Sequence, residues 1–170
     1  MSVMIRPLTF NAAWWVAVDL RPEDRRELAV TRDPDDVESL VRDALRSDYK
    51  WSASWTEDWK PLPVFAFGAT LTDKGRGAHV WAFGSSDAFR VLIPVTKFIK
   101  RSMIPLLVGS GVHYAQAVSH SENETAHRWL QRLGFSLKAT IPGIGGRNED
   151  MLLFTTSADV HRSSRHLAAA

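Results

Sequence analysis

The side chains able to do chemistry are few in this 170-residue chain, and their spacing excludes more than it suggests. There is no cysteine, which removes a thiolate nucleophile, a disulfide framework, a zinc ribbon and an iron–sulfur site. His113, His120 and His127 recur every seven residues, whereas two metal ligands on one helix face stand four apart. Solvated or capping roles suit them better. Ser119 to Glu124 reads Ser-His-Ser-Glu-Asn-Glu, but neighbours in sequence do not form a catalytic triad unaided. Helix capping by Ser121 or Asn123 is the plainer use. Gly143-Ile-Gly-Gly146 looks like a phosphate-cradling loop, yet it lacks the Lys-Ser/Thr and the helix of a P-loop, so it reads as a connector between strands. Glu57 and Asp58 could deprotonate an acceptor amine, although a solvent-facing turn accounts for both.

Composition narrows the setting. Lys+Arg is 21 against 19 Asp+Glu, so the formal charge is only +2, and a pI near 9.2 is no nucleic-acid signature without a clustered basic face. Arg21, Arg25 and Arg26, and Lys97, Lys100 and Arg101, read as solvated helix faces. Hydrophobic residues at 45% and charged residues at 24% fit one globular domain, residues 1–156, with a flexible or partner-bound tail at 157–170. No apolar run is long enough to cross a membrane, and the first residues lack a signal-peptide core. Seven tryptophans stand out. Trp14 and Trp15 are adjacent on a helix and cannot both face one core stripe. With Trp59, in a turn, they are candidates for a docking surface.

The elements that would position these residues follow from periodicity. A strand spans Val3 to Leu8. A helix opens at Asn11, and a second has Pro22 in its first turn with Glu23 and Asp24 near its positive end. A third carries Val37, Leu40, Val41, Ala44 and Leu45 as one stripe. Trp51, Ala53 and Trp55 then alternate with polar residues as a strand. After a turn at Glu57 to Pro63, strands follow at Val64–Leu71 and Ala78–Phe83, joined by a hairpin. Gly84, Ser85 and Ser86 would end the last strand and cap a helix with kinks or a restart at Pro94 and Pro105. Further strands are expected at Val112–Val118, Phe135–Ala139 and Met151–Thr155. A helix from Asn123 to Leu133 is stopped by Gly134.

This order, and the segment Asn123-Glu-Thr-Ala-His-Arg-Trp129-Leu130-Gln-Arg-Leu133-Gly134-Phe135, resembles the GNAT N-acetyltransferase fold over about residues 3–156. The resemblance implies an α/β (α+β) fold with a mainly antiparallel sheet, flanked by helices and splayed at its centre. It also implies that acetyl-CoA would be held where the fourth and fifth strands part. Its pyrophosphate would rest on backbone N–H groups of Phe83, Gly84, Ser85 and Ser86, with Asn123 near the pantetheine or thiol.

Two parts of the family pattern are missing. The Gln/Arg-x-x-Gly-x-Gly/Ala loop is replaced by Gly84-Ser-Ser-Asp-Ala-Phe-Arg-Val91, where Asp87 opposes an anion unless Arg90 turns inward. The Tyr expected seven residues after Asn123 is Leu130, which transfers no proton. Trp81-x-x-Gly84-Ser85, the Pro-started central helix and the Asn123 segment together resemble GNAT-like proteins of tailed bacteriophages. That narrower resemblance implies a virion or head-assembly protein, located in the virion and the host cytoplasm, with a degenerate site and no cofactor. Its partners would be other virion proteins. The alternative is a CoA-dependent N-acetyltransferase of the cytoplasm. Trp81, Phe83 and Phe89 are expected to plug the cleft if it is closed.

Overall fold

Seven strands and six α-helices appear in the computed structural model, which describes residues 2–57, 60–144 and 148–159. In chain order they are β1 (Ser2–Pro7), α1 (Phe10–Val18), α2 (Pro22–Thr31), α3 (Val37–Arg46), β2 (Tyr49–Glu57), β3 (Lys60–Thr72) and β4 (Gly77–Gly84). There follow α4 (Leu92–Phe98), α5 (Ile104–Gly109), β5 (Tyr114–His120), α6 (Glu124–Arg132), β6 (Ser136–Ile144) and β7 (Glu149–Ser157). The sheet order is β1-β2-β3-β4-β5-β7-β6. Pairing is antiparallel at β1–β2, β2–β3, β5–β7 and β6–β7, and parallel at β4–β5. This is the mixed, mostly antiparallel architecture expected from the element order.

Contacts divide the chain into two units. The first comprises residues up to Thr70 together with Val80–Lys97. Here Ala12, Ala13, Val16 and Ala17 on α1 meet Leu40, Val41 and Ala44 on α3, over Ala66 and Phe83 of the sheet. The α3 stripe is the one its periodicity predicts. Asp36 caps α3 by accepting from Ser39 N–H at 3.0 Å. On α1 the cap is Thr9, whose hydroxyl accepts from Ala12 N–H at 3.2 Å, and Asn11 lies inside the helix. Both residue types can cap; Thr9 prevails because its backbone is extended where β1 hands over to the helix.

Strand β3 is longer than its apolar run. It begins at Lys60 and pairs through Pro61 and Pro63, so the expected turn from Glu57 to Pro63 is mostly strand. Proline cannot donate to a ladder and is confined to such weakly paired ends. A register shift opposite Ala53 and Ser54 places Val64 as the extra residue. Gly68 is required by a close approach: a Cβ there would stand 2.6 Å from the Trp81 ring, which lies against β3 and donates from Nε1 to Ser47 Oγ at 2.8 Å.

The second unit comprises Leu71–His79 together with residues from Phe98 onward. The β4–β5 ladder lies here, at Gly77↔Tyr114, Ala78↔Ala115 and His79↔Gln116. Helix α6 buries Leu130. Leu133 and Phe135 both donate from backbone N–H to Leu130 carbonyl at 3.0 Å, and Gly134 turns the chain at φ 92°. Strand β6 runs on to Ile144, past the expected end at Ala139, because it is exposed along most of its length and carries no alternation to mark its limits. Gly143 and Ile144 therefore belong to this strand. The expected tail from 157 begins too early: Ser157 closes β7, and Ala158 is buried with its N–H on His113 carbonyl at 2.8 Å, which holds the chain there. The rest of the Gly143–Arg147 loop, and residues 160–170, lie outside the described residues.

The helix expected after Ser85 and Ser86 starts later. A 3-10 turn, Ala88–Arg90, intervenes, and α4 opens at Leu92 with Pro94 in its first turn. Pro94 is thus a restart, where its missing N–H leaves no bond unmade. Pro105 acts differently. Ahead of it Ile99–Met103 widens into a π turn in which Ile104 N–H reaches back five residues to Ile99 carbonyl, accommodating the proline ring without breaking the helix.

Candidate active site

The end of β4 is where the resemblance places an acyl donor, and its backbone is already engaged within the first unit. Ser85 N–H donates to Val64 carbonyl on β3 at 2.9 Å. Alternate residues of a strand turn their N–H and C=O to opposite edges, so those of Gly84 face away from β3. Both are taken there. Gly84 carbonyl accepts from Arg21 N–H at 3.0 Å, and Gly84 N–H donates to the Asp24 carboxylate at 2.7 Å. An antiparallel bridge between Leu20 and Ser85 completes the contact. Arg21 clamps the same carboxylate, Nε to Oδ2 at 2.7 Å and Nη2 to Oδ1 at 2.9 Å.

Asp24 is 5% exposed. Burial pushes its carboxyl above the usual value. Arg21 and the Gly84 N–H pull the other way, and Glu27 adds a small upward push. A Cβ on Gly84 would stand 2.6 Å from Ala88 Cβ and 2.8 Å from the Phe65 ring, so only glycine fits this point.

The remaining expected cofactor residues follow from this arrangement. Phe83 is buried and stacks on Trp81 at 5.7 Å; both turn to the core beneath α1 and α3. Phe89 is 66% exposed. Trp81 and Phe83 thus serve the core of the first unit, and Phe89 faces solvent. Ser85 is buried, with its carbonyl accepting from Ala88 N–H at 3.0 Å and its hydroxyl from Asp87 N–H at 3.3 Å, and Ser86 is exposed. Asp87 pairs with Arg90 at 2.7 Å, and the Arg90 guanidinium lies 5.2 Å from the ring centres of both Trp55 and Phe89. Arg90 therefore neutralises Asp87 locally. With Gly84 and Ser85 donors satisfied from within, this stretch does not fit an incoming pyrophosphate or amide as it stands.

In the second unit, Asn123 opens α6. It is buried, and its Oδ1 accepts from Ala126 N–H at 3.2 Å, the cap its position predicts. His120 Nδ1 accepts from Glu122 N–H at 3.1 Å, and His127 Nε2 donates to His120 carbonyl at 2.9 Å. His120 and His127 thus hold the turn before α6, and His113 is exposed. Leu130 is buried in the helix. Of the candidate docking tryptophans, Trp14 is 38% and Trp15 59% exposed, alongside exposed Phe10 and Val18. Trp59 and Asp58 lie outside the described residues.

Sequence reasoning missed Arg21 and Asp24. It placed Arg21 on a solvated face and Asp24 as a helix-end charge. An acid at the third position of a helix ordinarily reaches back to the cap residue's N–H. Here that N–H belongs to Arg21 and goes to Gly84, which frees the carboxylate for a partner sixty residues away.

No family model matches the chain, and no curated protein matches its sequence. Solved structures do match. An acetyltransferase of the GNAT family from Bacillus anthracis superposes with a TM-score of 0.70 at 10% identity, covering 94% of this chain and 96% of that one. The chain has the GNAT fold. Ard1 from Thermoplasma volcanium gives a TM-score of 0.67 at 14% identity, over 92% and 98%. YncA from Salmonella typhimurium, solved with its cofactor acetyl-CoA, gives 0.63 at 18% identity, over 94% and 95%. At such identities the likeness is one of fold. None of these structures is described as a phage or virion protein. Among the described residues no helix is long and apolar enough to cross a membrane.

Proposed function

We propose that the chain is an acyl-CoA-dependent N-acetyltransferase acting on an amine. The observation that carries this reading is the full-length GNAT fold, shared over more than nine-tenths of the chain with a structure holding acetyl-CoA. The acyl donor would supply a thioester carbonyl to a nucleophilic amine. On β4, Gly84 would become available to it only where its present partners, Arg21 N–H and the Asp24 carboxylate, give way. Leu130 carries no proton, so in this reading the proton for the leaving thiolate comes from another source than that position, a side chain or solvent.

Calorimetric titration with acetyl-CoA, coupled to thiol release in the presence of polyamine, amino-acid and peptide amines, tests it. Saturable binding with amine-dependent thiol release is expected. No heat, no thermal shift and no thiol release at millimolar acetyl-CoA, from the wild-type chain or from Asp24→Ala, would overturn it.

A role in virion assembly is the second reading. It is favoured by one observation: α1 contains no charged residue and presents Phe10 stacked on Trp14 at 5.8 Å, with Trp15 and Val18 exposed beside them. Copurification with particles would support it, and absence from particles and assembly intermediates would remove it.

A further inference from the structure

We propose that the segment Leu20–Asp24 is an internal strap that occupies the acyl-donor edge of β4, with the Asp24 carboxylate on the Gly84 N–H that a carbonyl ligand would otherwise receive. The proposal rests on the acetyltransferase reading and goes beyond it, since it assigns a gating role to residues outside the expected cofactor loop.

Four contacts carry it. The Leu20–Ser85 bridge lays the strap along β4 as a short extra strand. Arg21 N–H takes the Gly84 carbonyl, and Asp24 Oδ2 takes the Gly84 N–H. The Arg21 side chain then holds both carboxylate oxygens. Together these leave Gly84 with neither donor nor acceptor toward that edge.

The arrangement argues against Asp24 as a general base. Its two oxygens already accept three N–H donors, and the residue is buried, so little of the carboxylate is presented to an amine proton. It argues for Asp24 as a positioning residue acting through Gly84. Pro22, at the first position of α2, fixes the backbone between Arg21 and Asp24, so the strap meets β4 as a preformed piece. Gly84 admits no side chain, so the strap and a ligand compete for the same backbone groups rather than for a side-chain pocket.

The test compares acetyl-CoA affinity of the wild-type chain with that of Asp24→Ala by calorimetry. A charge-assisted bond that no longer competes should tighten binding by about tenfold or more. A merely structural role for Asp24 would weaken binding or leave it alone. Because the variant loses a buried ion pair, a second measurement uses the wild-type chain. At saturating acetyl-CoA, the Gly84 amide and Asp24 carboxyl resonances should both shift as their bond is exchanged for one to the ligand. Equal affinities, or resonances unmoved at saturation, would overturn the strap and leave the acetyltransferase reading standing. Absence of binding by both proteins would overturn the two together.

Discussion

Two strand ends of this chain solve the same problem by different means. At the end of β5, two side chains serve backbone donors close by, Asn123 that of Ala126 three residues on and His120 that of Glu122 two residues on, while Ser121 N–H crosses to Asp150 carbonyl. At the end of β4, the donor of Gly84 is satisfied by Asp24, sixty residues earlier in the chain. The first arrangement stabilises a turn and can be read from a short segment. The second ties two distant segments together and engages both backbone groups of Gly84. The comparison separates a cap, which serves its own helix, from a strap, which joins segments far apart in the chain.

The largest effect is expected from breaking the strap. Asp24→Ala leaves the Arg21 guanidinium, itself largely buried, without its carboxylate and Gly84 N–H without an acceptor. Removing one member of a buried pair costs about 3–5 kcal/mol. Denaturant unfolding should show a lowered midpoint of that size. A loss below about 1 kcal/mol, the range of exposed ion pairs, would mean the pair is solvated and the strap loose.

Gly84→Ala probes the same end by steric means. The added methyl meets Ala88 and Phe65, both buried, at distances no relaxed pair adopts. Overpacking of this kind costs about 1–3 kcal/mol. A change at Gly84 without effect on the midpoint would show that the turn after β4 can move aside.

Asn123→Ala tests the local arrangement and should cost less, about 1 kcal/mol, the usual value of a helix N-cap. If it cost as much as Asp24→Ala, the distinction between local cap and long-range strap would fail.

The same distinction explains what could be read in advance. The α3 stripe, the Asn123 cap, Gly134 as a left-handed stop and the exposure of Trp14 and Trp15 all depend on residues within one or two helical turns of one another. The cap of α1 falls on Thr9 and not on the expected Asn11, because both are good caps by type and only the strand geometry before them decides. The onset of α4 was misplaced because Ser85 and Ser86 have the chemistry of caps, yet Ser85 N–H is held by β3 and its hydroxyl by Asp87. The role of Asp24 was hidden for a plainer reason: nothing within its own helix names Gly84. Of the candidate residues, therefore, Asn123 was legible as a helix cap, whereas the partners of Gly84 depended on a tertiary contact.

The last test is pH, to which Asp24 and His79 respond with opposite signs. Burial raises the Asp24 carboxyl above its ordinary 3.8, so the folded chain holds that proton more tightly than the unfolded one. Its contribution to stability is full below the ordinary value and is lost as pH rises through the raised one. In the second unit, His79 on β4 is shifted downward from 6.5 by burial, so the folded chain holds that proton less tightly. Its contribution is full above 6.5 and is lost as pH falls through the depressed value. Between the two ordinary values the contributions have opposite signs. Residue-specific titration separates them: the Asp24 carboxyl resonance should move at a pH above the ordinary carboxylate range, and the His79 ring resonances below the ordinary imidazole one. Asp24→Asn should remove the first contribution and leave the second, so that stability then rises with pH through the histidine window. A variant whose stability still fell with rising pH across the carboxylate window would show that Asp24 is not the group responsible.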